Sequence, residues 1–149
     1  MAFVSTYLNF ERNTEEAFEY YKSVFGTEYM SPIMRIGETP PIEGAPPLSK
    51  EDLQLVMHVS LPITGGHILM GTDSPESFGF TLVKGNNVHI MLSPDTREET
   101  DRLFVALSDG GQVTVAMQDM FWGAYYGSCT DRFGIHWMFN CHQMHSKSE

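Results

Sequence analysis

The sequence predicts an α+β protein in which two βαβββ repeats form curled sheets of mixed or antiparallel strands. Two amphipathic helix patterns lead to this prediction, because each follows one strand candidate and precedes three others. Placing Ala17 on Thr100 superposes the two patterns, and such self-similarity indicates an internal repeat. The positions spaced i, i+3, i+4 and i+7 are Ala17, Tyr20, Tyr21 and Val24 in the first helix and Thr100, Leu103, Phe104 and Leu107 in the second.

The first repeat begins with a strand over residues 3–10, where aromatic and β-branched residues are dense. Asn13 then predicts a helix N-cap, with Glu16 three residues later. Gly26 predicts the left-handed residue that ends this helix. A second strand is predicted over residues 28–36.

Residues 37–52 follow without periodicity and hold four of the chain's eight prolines. A loop of this length inside a compact domain is usually functional or mobile. We interpret it as a lid or rim, with a tolerated surface insertion as the alternative. A hairpin comes next, over residues 54–61 and from Ile68 onward, joined by a Gly65-Gly66 turn that suits positive φ.

The second repeat shows the same order of elements. A strand over residues 88–93 precedes a helix that Asp95 and Glu98 are predicted to cap, and Gly110-Gly111 is predicted to end it. Three further strands are predicted, over residues 112–118, 124–130 and 135–141, with a turn at residues 131–134.

The register between the repeats depends on which feature aligns them. The helix patterns place Ala17 on Thr100, whereas the two predicted caps, Asn13 and Asp95, favour an alignment that differs by one position. We follow the patterns, because core packing fixes register more tightly than an exposed cap. That alignment places Thr6 opposite His89. The choice matters, since a slip of one position would turn every strand side chain to the opposite face.

The length of 149 residues suits one domain over residues 1–149, with repeat halves at about 1–75 and 86–142. A hydrophobic content of 42% is typical of a globular protein, and residues 146–149 are predicted to be disordered. The formal charge of −10 argues against a nucleic-acid partner or an anionic membrane partner, because both require a basic surface.

No apolar run approaches the roughly 18 residues that a membrane span needs, and no signal peptide is evident. Cys129 and Cys141 give no disulfide framework and no metal-ligand pair. We predict that both are reduced and half-buried in strands, which fits a reducing cytoplasm.

Several short segments, spread in order over nearly the whole chain, carry a family likeness. They are YLNF at 7–10, EEAFEYY at 15–21, VMH at 56–58, GGHILM at 65–70, FWG at 121–123, and TDRFG at 130–134 with WM at 137–138. Together they resemble the vicinal-oxygen-chelate superfamily of glyoxalase I, bleomycin-binding proteins and extradiol dioxygenases, and within it the PhnB-like branch. The resemblance implies two four-stranded sheets curling around a shared cleft, usually in a homodimer. Some members of the branch carry a methyltransferase-type name, but the sequence predicts no glycine-rich cofactor-binding turn.

The resemblance also implies four positions at which metal-dependent relatives hold a divalent ion. They correspond to Thr6, to Leu69 or Met70, to His89 and to Met138. Of these only His89 suits such an ion, since thioethers favour soft copper(I). We therefore predict no metal at the family position and no cofactor.

Two histidines are candidate catalytic residues. His58 is typical of the branch pattern, and His89 occupies an inherited ligand position. Either could act as a general base or orient a ligand, because histidine titrates near neutral pH. The alternative for each is a half-buried histidine that is hydrogen-bonded to the sheet.

The segment from 119 to 127 is rich in aromatic residues between glycines at a strand-to-strand corner. Such residues could form the wall of a site for a flat ligand, and a core or dimer contact is the alternative. The candidate ligand-binding residues are Phe121, Trp122, Tyr125 and Tyr126.

Three functions are compatible with these features. The first is a protein that binds a small apolar or aromatic molecule in its cleft without a classical metal site. The second is a metal-dependent lyase, isomerase or dioxygenase with a non-classical ion site. The third is a structural or interaction module whose cleft is filled by its own side chains.

Overall fold

The computed structural model describes residues 1–142, which contain two four-stranded sheets. The chain divides into two compact units, Met1–Val83 and a second that begins at Lys84. The predicted disorder at residues 146–149 lies outside the described residues. None of the helices within residues 1–142 is long and apolar enough to cross a membrane.

The first unit contains two helices and four strands, and three short 3₁₀ turns (Ile36–Glu38, Thr64–Gly66 and Glu76–Phe78) connect some of them. Its elements are β1 (Thr6–Phe10), α1 (Thr14–Phe25), β2 (Met34–Arg35), α2 (Lys50–Leu53), β3 (Val56–Pro62) and β4 (Ile68–Asp73). The elements of the second unit are β5 (Ile90–Leu92), α3 (Arg97–Ser108), β6 (Gln112–Asp119), β7 (Tyr125–Thr130) and β8 (His136–Cys141).

The two sheets have the same topology. The strand order is β1-β4-β3-β2 in the first and β5-β8-β7-β6 in the second. In each, the first strand pairs in parallel with the last strand, and the remaining neighbours are antiparallel. The predicted α+β fold with two βαβββ repeats is therefore confirmed.

The two long helices confirm the match of Ala17 to Thr100, since α1 and α3 both span 12 residues and begin at Thr14 and Arg97. The predicted cap at Asp95 is wrong, because the side chain of Thr96 accepts the hydrogen bond from the Glu99 amide. Asn13 is the N-cap of α1, yet its side chain makes no capping hydrogen bond. With Thr96 as the N-cap of α3, the two caps and the two helix patterns give the same alignment of the repeats.

Close packing of α1 defines one face of the first sheet. Phe18 and Tyr21 of α1 are fully buried. At Gly71 of β4, an added Cβ would lie 2.5 Å from Phe18 Cε1, so only glycine lets the helix approach this closely. We call the side of each sheet that packs on the long helix of its own unit the helix face, and the other side the distal face.

The hairpins β3–β4 and β7–β8 have equivalent turns. The amide of Ile63 donates to the His67 carbonyl at 2.8 Å, and the amide of Asp131 donates to the Ile135 carbonyl at the same distance. Gly66 and its counterpart Gly134 both have positive φ, of 78° and 90°. We call this superposition, which places Ile63 on Asp131, the hairpin match. It differs from the match of the helices, because the segment between helix and hairpin is shorter in the second unit.

Strand pairing corrects the predicted match between Thr6 and His89. Thr6 pairs with Leu69, and Ile90 pairs with Trp137, which is the counterpart of Leu69 under the hairpin match. Thr6 therefore matches Ile90. The prediction was wrong because the link from strand to helix is one residue shorter in the second repeat.

The second predicted strand is much shorter than expected. Residues 28–36 were predicted to form it, but only Met34–Arg35 pairs with β3, and the pairing has a register shift. The preceding residues are attached by isolated bonds, such as that from the Met30 amide to the Ser60 carbonyl at 3.0 Å. The predicted loop at residues 37–52 includes the start of α2, where the Ser49 hydroxyl caps the helix.

Candidate functional site

The distal face of the first sheet carries a hydrogen-bonded group of three side chains around His58. His58 Nε2 lies 2.8 Å from Ser60 Oγ, and His58 Nδ1 lies 3.4 Å from the Tyr7 hydroxyl. Ser60 pairs with Met70 across the β3–β4 ladder, and Tyr7 pairs with Met70 across β1–β4. Alternation along three strands therefore brings these polar groups together beside a methionine.

The three residues differ in exposure. Ser60 is buried, with 6% of its area exposed, His58 is half-buried, and Tyr7 is 48% exposed. The buried hydroxyl thus holds one edge of the imidazole, while the tyrosine side is open to solvent. A histidine fixed in this way can hold or move a proton or accept a ligand hydrogen bond.

Thr6 lies on the helix face of the first sheet, away from this group. Its Oγ1 lies 2.8 Å from Nε2 of His67, next to the hairpin turn. The neighbouring Ser5 Oγ instead donates to Met70 Sδ at 3.6 Å. The first position that the family resemblance assigned to a metal ligand therefore carries a hydroxyl that is engaged elsewhere.

The distal face of the second sheet carries the two histidines His89 and His136. Their ring centroids are 5.4 Å apart. His136 Nε2 lies 2.8 Å from the Gly85 carbonyl, and because a carbonyl can only accept, Nε2 must carry the proton. Nδ1 can then accept from the Thr130 hydroxyl at 2.9 Å. His136 is thus held at both nitrogens, whereas His89 is exposed.

Three of the four predicted aromatic residues form a connected group. The ring centroids of Phe121 and Trp122 lie 5.0 Å apart, and those of Trp122 and Tyr126 lie 6.2 Å apart. Phe121 is 96% exposed and Trp122 is 52% exposed, at the tip of the β6–β7 hairpin. Tyr126 pairs with Asn140 on the distal face. We call these three residues the aromatic group.

The structure does not bring Tyr125 into this group. Its hydroxyl donates to Asp101 Oδ1 at 2.5 Å, and the Arg97 guanidinium lies 3.8 Å from its ring centroid. Both partners belong to α3, so Tyr125 faces the helix. Burial, together with the hydrogen bond to Asp101, raises the pKa of Tyr125 to about 12. The phenol therefore remains protonated well above neutral pH.

Both cysteines are buried on the helix face of the second sheet, more deeply than the half-buried positions that the sequence predicts. Burial, assisted by the nearby Asp131 carboxylate, raises the pKa of the Cys129 thiol to about 12. A thiol of this kind is not a nucleophile at neutral pH, because only the thiolate attacks.

The donor set does not fit the divalent metal site of metal-dependent relatives. Within residues 1–142, no group of three or more His, Cys, Asp or Glu side chains is arranged to hold a metal ion. Met70 and Met138 are equivalent under the hairpin match, and both offer a thioether in place of nitrogen or oxygen. Such ligands bind zinc, iron or nickel poorly.

Sequence reasoning identified His58 but missed Tyr7 and Ser60. The signal was present, since His58 and Ser60 are two residues apart on one strand and so share a face. The position of Tyr7 depended on the parallel β1–β4 register, which the sequence alone does not fix.

Two βαβββ units with these strand orders are the fold of the vicinal-oxygen-chelate class, which glyoxalase, bleomycin-resistance and dioxygenase proteins share. The family model described as 3-demethylubiquinone-9 3-methyltransferase matches residues 2–139. This chain therefore belongs to that family, the PhnB-like branch of the class.

Individual relatives agree with this family. Protein YjdN of Escherichia coli K12 is 32% identical over 146 residues, covering 92% of this chain and 93% of YjdN. The crystal structure of PA1353 from Pseudomonas aeruginosa has a TM-score of 0.80 and 31% identity, covering 96% of this chain and 99% of that one. The putative 3-demethylubiquinone-9 3-methyltransferase PhnB from Bacillus cereus has a TM-score of 0.70 and 25% identity, covering 94% and 99%.

Proposed function

We propose that this protein binds a small apolar or aromatic molecule without a classical metal site. The observation that carries the proposal is the aromatic group of Phe121, Trp122 and Tyr126, where two large rings are exposed to solvent beside a strand face. Soluble proteins seldom leave such rings exposed together unless they contact another molecule. Aromatic rings at a strand corner offer a flat ligand stacking and edge-to-face contacts.

The metal positions support the same proposal. Met70 and Met138 line the distal faces with flexible, polarisable side chains, which adapt to apolar ligands. The formal charge of −10 supports a small molecule rather than a nucleic acid as the partner. Neither observation supports the methyltransferase activity in the family description.

His58 and His89 are the side chains that we propose for any proton transfer. His58 lies between two hydroxyls in the first unit, and the exposed His89 lies against the ring of His136 in the second. Histidine suits this role because each of its ring nitrogens can carry or accept a proton.

We also propose a homodimer in the cytoplasm. Several large apolar side chains of the single chain are solvent-exposed, among them Val4 at 84%, Val83 at 83% and Val88 at 73%. A dimer would cover apolar side chains of this kind if they form a contiguous patch. Light scattering of the purified protein should give twice the mass of 16.8 kDa, and the mass of one chain would contradict the dimer.

Tryptophan fluorescence tests the binding proposal. Trp137 is fully buried, so the 52% exposed Trp122 should dominate any response to an aromatic probe such as 2-naphthol. We expect saturable quenching that is unchanged by EDTA. Trp122→Ala should weaken binding about fivefold, because an aromatic pair is worth about 1 kcal/mol. Calorimetry of the variant and the wild-type protein measures this loss.

Phe80→Ala is the matched control, since Phe80 is also an exposed aromatic residue, at 54%, but lies outside the aromatic group. It should leave binding unchanged. Failure of 2-naphthol and related aromatic probes to saturate would contradict the proposal. Binding that requires an added divalent ion would favour a metal-dependent protein instead.

A further inference from the structure

We infer that the distal face of the first sheet is a binding site for an uncharged ligand, which hydrogen-bonds to Tyr7 and His58. This inference rests on the proposed function, and it adds the chemical class of the ligand and a site in the first unit. The aromatic group lies in the second unit, so we expect two 2-naphthol sites, one that Trp122→Ala weakens and one that depends on His58.

The distribution of charge along the strands is the first observation. In the first unit, the strands β1 to β4 contain only two charged residues, Arg35 and Asp73. Arg35 donates two hydrogen bonds of 2.9 Å to the Glu15 carboxylate of α1. Asp73 is 6% exposed and accepts from the hydroxyl of Thr14 on α1 at 2.7 Å. Both charges are therefore directed to the helix face.

The strands therefore contribute no Asp, Glu, Lys or Arg side chain to the distal face of this sheet. This neutrality contrasts with a chain that carries 28 charged residues, 9 basic and 19 acidic. A charged ligand on this face would lose water without gaining an opposite charge from the strands. An uncharged ligand does not incur that cost.

The hydrogen-bonding groups supply the second observation. The buried Ser60 hydroxyl is 2.8 Å from His58 Nε2, and this hydrogen bond restricts rotation of the imidazole. The contact between the Tyr7 hydroxyl and His58 Nδ1 is longer, at 3.4 Å, and Tyr7 is 48% exposed. A hydroxyl on a ligand can therefore replace this long contact when the exposed Tyr7 side chain moves aside, as acceptor from one group and donor to the other.

Apolar side chains beside this group complete the site. Met34 pairs with His58 across β2–β3 and is 47% exposed, and Met70 pairs with Tyr7. Thioether side chains on both sides of a polar centre suit a ligand with an apolar ring and one hydroxyl group. Few polar groups within an apolar surface are the usual composition of a small-molecule site.

Three probes that share one ring system and differ in charge test the ligand class. They are 2-naphthol, which is neutral near neutral pH, 2-naphthoate, which is anionic, and 2-naphthylmethylammonium, which is cationic. Each is titrated into the full chain while nitrogen-15 spectra of the histidine rings are recorded. We expect 2-naphthol to shift the His58 ring signals and to bind at least about tenfold more tightly than either charged probe, a difference of about 1.4 kcal/mol.

Variants separate binding from folding. In calorimetry of the Trp122→Ala protein, His58→Ala should weaken the remaining 2-naphthol binding at least about tenfold, and His58→Gln, which keeps a donor and an acceptor, should restore part of it. His67→Ala is the matched control, because His67 contacts Thr6 on the helix face and should leave binding unchanged. Tyr7→Phe keeps the ring and removes only the exposed hydroxyl. The loss of 2-naphthol affinity in this variant therefore measures the hydrogen bond between Tyr7 and the ligand.

The outcomes distinguish this inference from the proposed function. If no probe binds, both are overturned. If all three probes bind equally, or if 2-naphthol binds without shifting the His58 signals, the proposed function stands and this inference is overturned. If His67→Ala weakens binding as much as His58→Ala, the His58 site is overturned as well.

Discussion

The distal faces of the two sheets share a backbone but differ in side chains. Under the hairpin match, Ser60 corresponds to Ser128 and His58 corresponds to Tyr126. In the first unit the serine contacts a histidine, whereas Ser128 Oγ lies 2.6 Å from Thr114 Oγ1. The duplication has thus kept a hydroxyl in each sheet and replaced its neighbour, which leaves hydrogen bonding in one unit and aromatic contact in the other.

We expect the largest difference in stability at the hairpin turns, because the second contains a buried carboxylate. Asp131, 3% exposed, accepts from the amides of Phe133 and Ile135 and from Trp137 Nε1. Its counterpart in the first hairpin is the apolar Ile63. Asp131→Ala should therefore lower the free energy of unfolding by about 3 kcal/mol, since buried donors lose a charged acceptor. Chemical denaturation measures this loss.

Asp131→Asn is the control for that prediction, because it keeps one oxygen acceptor and should cost less than Asp131→Ala. Equal stability of Asp131→Ala and the wild-type protein would show that the second turn does not depend on its carboxylate. The two hairpins would then be alike in energy as well as in backbone.

The contact between helix and sheet in the first unit is the next largest expected effect. Gly71→Ala should destabilise the protein by about 2 kcal/mol, because the new Cβ meets the Phe18 ring and the packed core cannot absorb it. Gly85→Ala is the matched control, since its Cβ would lie 3.4 Å from an Asn87 side-chain atom and the backbone needs no positive φ. Thermal unfolding of both variants measures the difference, and equal melting temperatures would contradict the close approach.

The helix caps give a smaller and directly paired comparison. Thr96→Ala should cost about 1 kcal/mol, because its hydroxyl accepts from the Glu99 amide at 3.1 Å. Asn13→Ala should cost less, because the Asn13 side chain makes no capping bond. Urea unfolding of the two variants tests this order, and a larger loss for Asn13→Ala would reverse it.

The smallest expected effect concerns the ion pair of the first unit. The hydrogen bond from Arg35 lowers the pKa of Glu15, so the stability that it contributes is present above the ordinary glutamate pKa. It is lost as the pH falls through the lowered pKa. Because the Glu15 side chain is 46% exposed, we expect less than about 1 kcal/mol.

Acid titration of stability in the wild-type protein and in Glu15→Gln isolates this contribution. The variant should be less stable near neutral pH, and the difference should shrink as the pH falls below the ordinary glutamate pKa. A difference that stays constant across the titration would assign the loss to packing rather than to charge.

The helices were predictable from the sequence because their signals are local. The apolar pattern gave the match of α1 to α3, and the ends of α1 lie where Asn13 and Gly26 predicted them, with Gly26 in the left-handed conformation at φ of 66°. The strands were less predictable, because a single residue more or less in a connection changes which face a side chain occupies. Thr6 and His89 were matched incorrectly for this reason.

The candidate site was predictable only in part. His58 and Tyr126 lie on distal faces, in agreement with alternation within their strands, and Trp122 in the β6–β7 turn contacts Tyr126. Tyr125 lies on the helix face, where Asp101 and Arg97 of α3 contact it, and no local pattern indicates that partnership. Tyr7 joins His58 through strand pairing between distant parts of the sequence. Long-range register is therefore the part of the site that one sequence does not specify.

The two hairpin turns also record how far the repeats have diverged. ITGGH at 63–67 and DRFGI at 131–135 make the same pair of backbone hydrogen bonds, yet they share only the glycine at the fourth position. The feature that both turns keep is a glycine, Gly66 or Gly134, at the position where the backbone has positive φ. The backbone of the turn is therefore common to both units, but the two five-residue segments are not exchangeable, because an exchange would remove the acceptor of Trp137 Nε1 and bury a carboxylate at the position of Ile63.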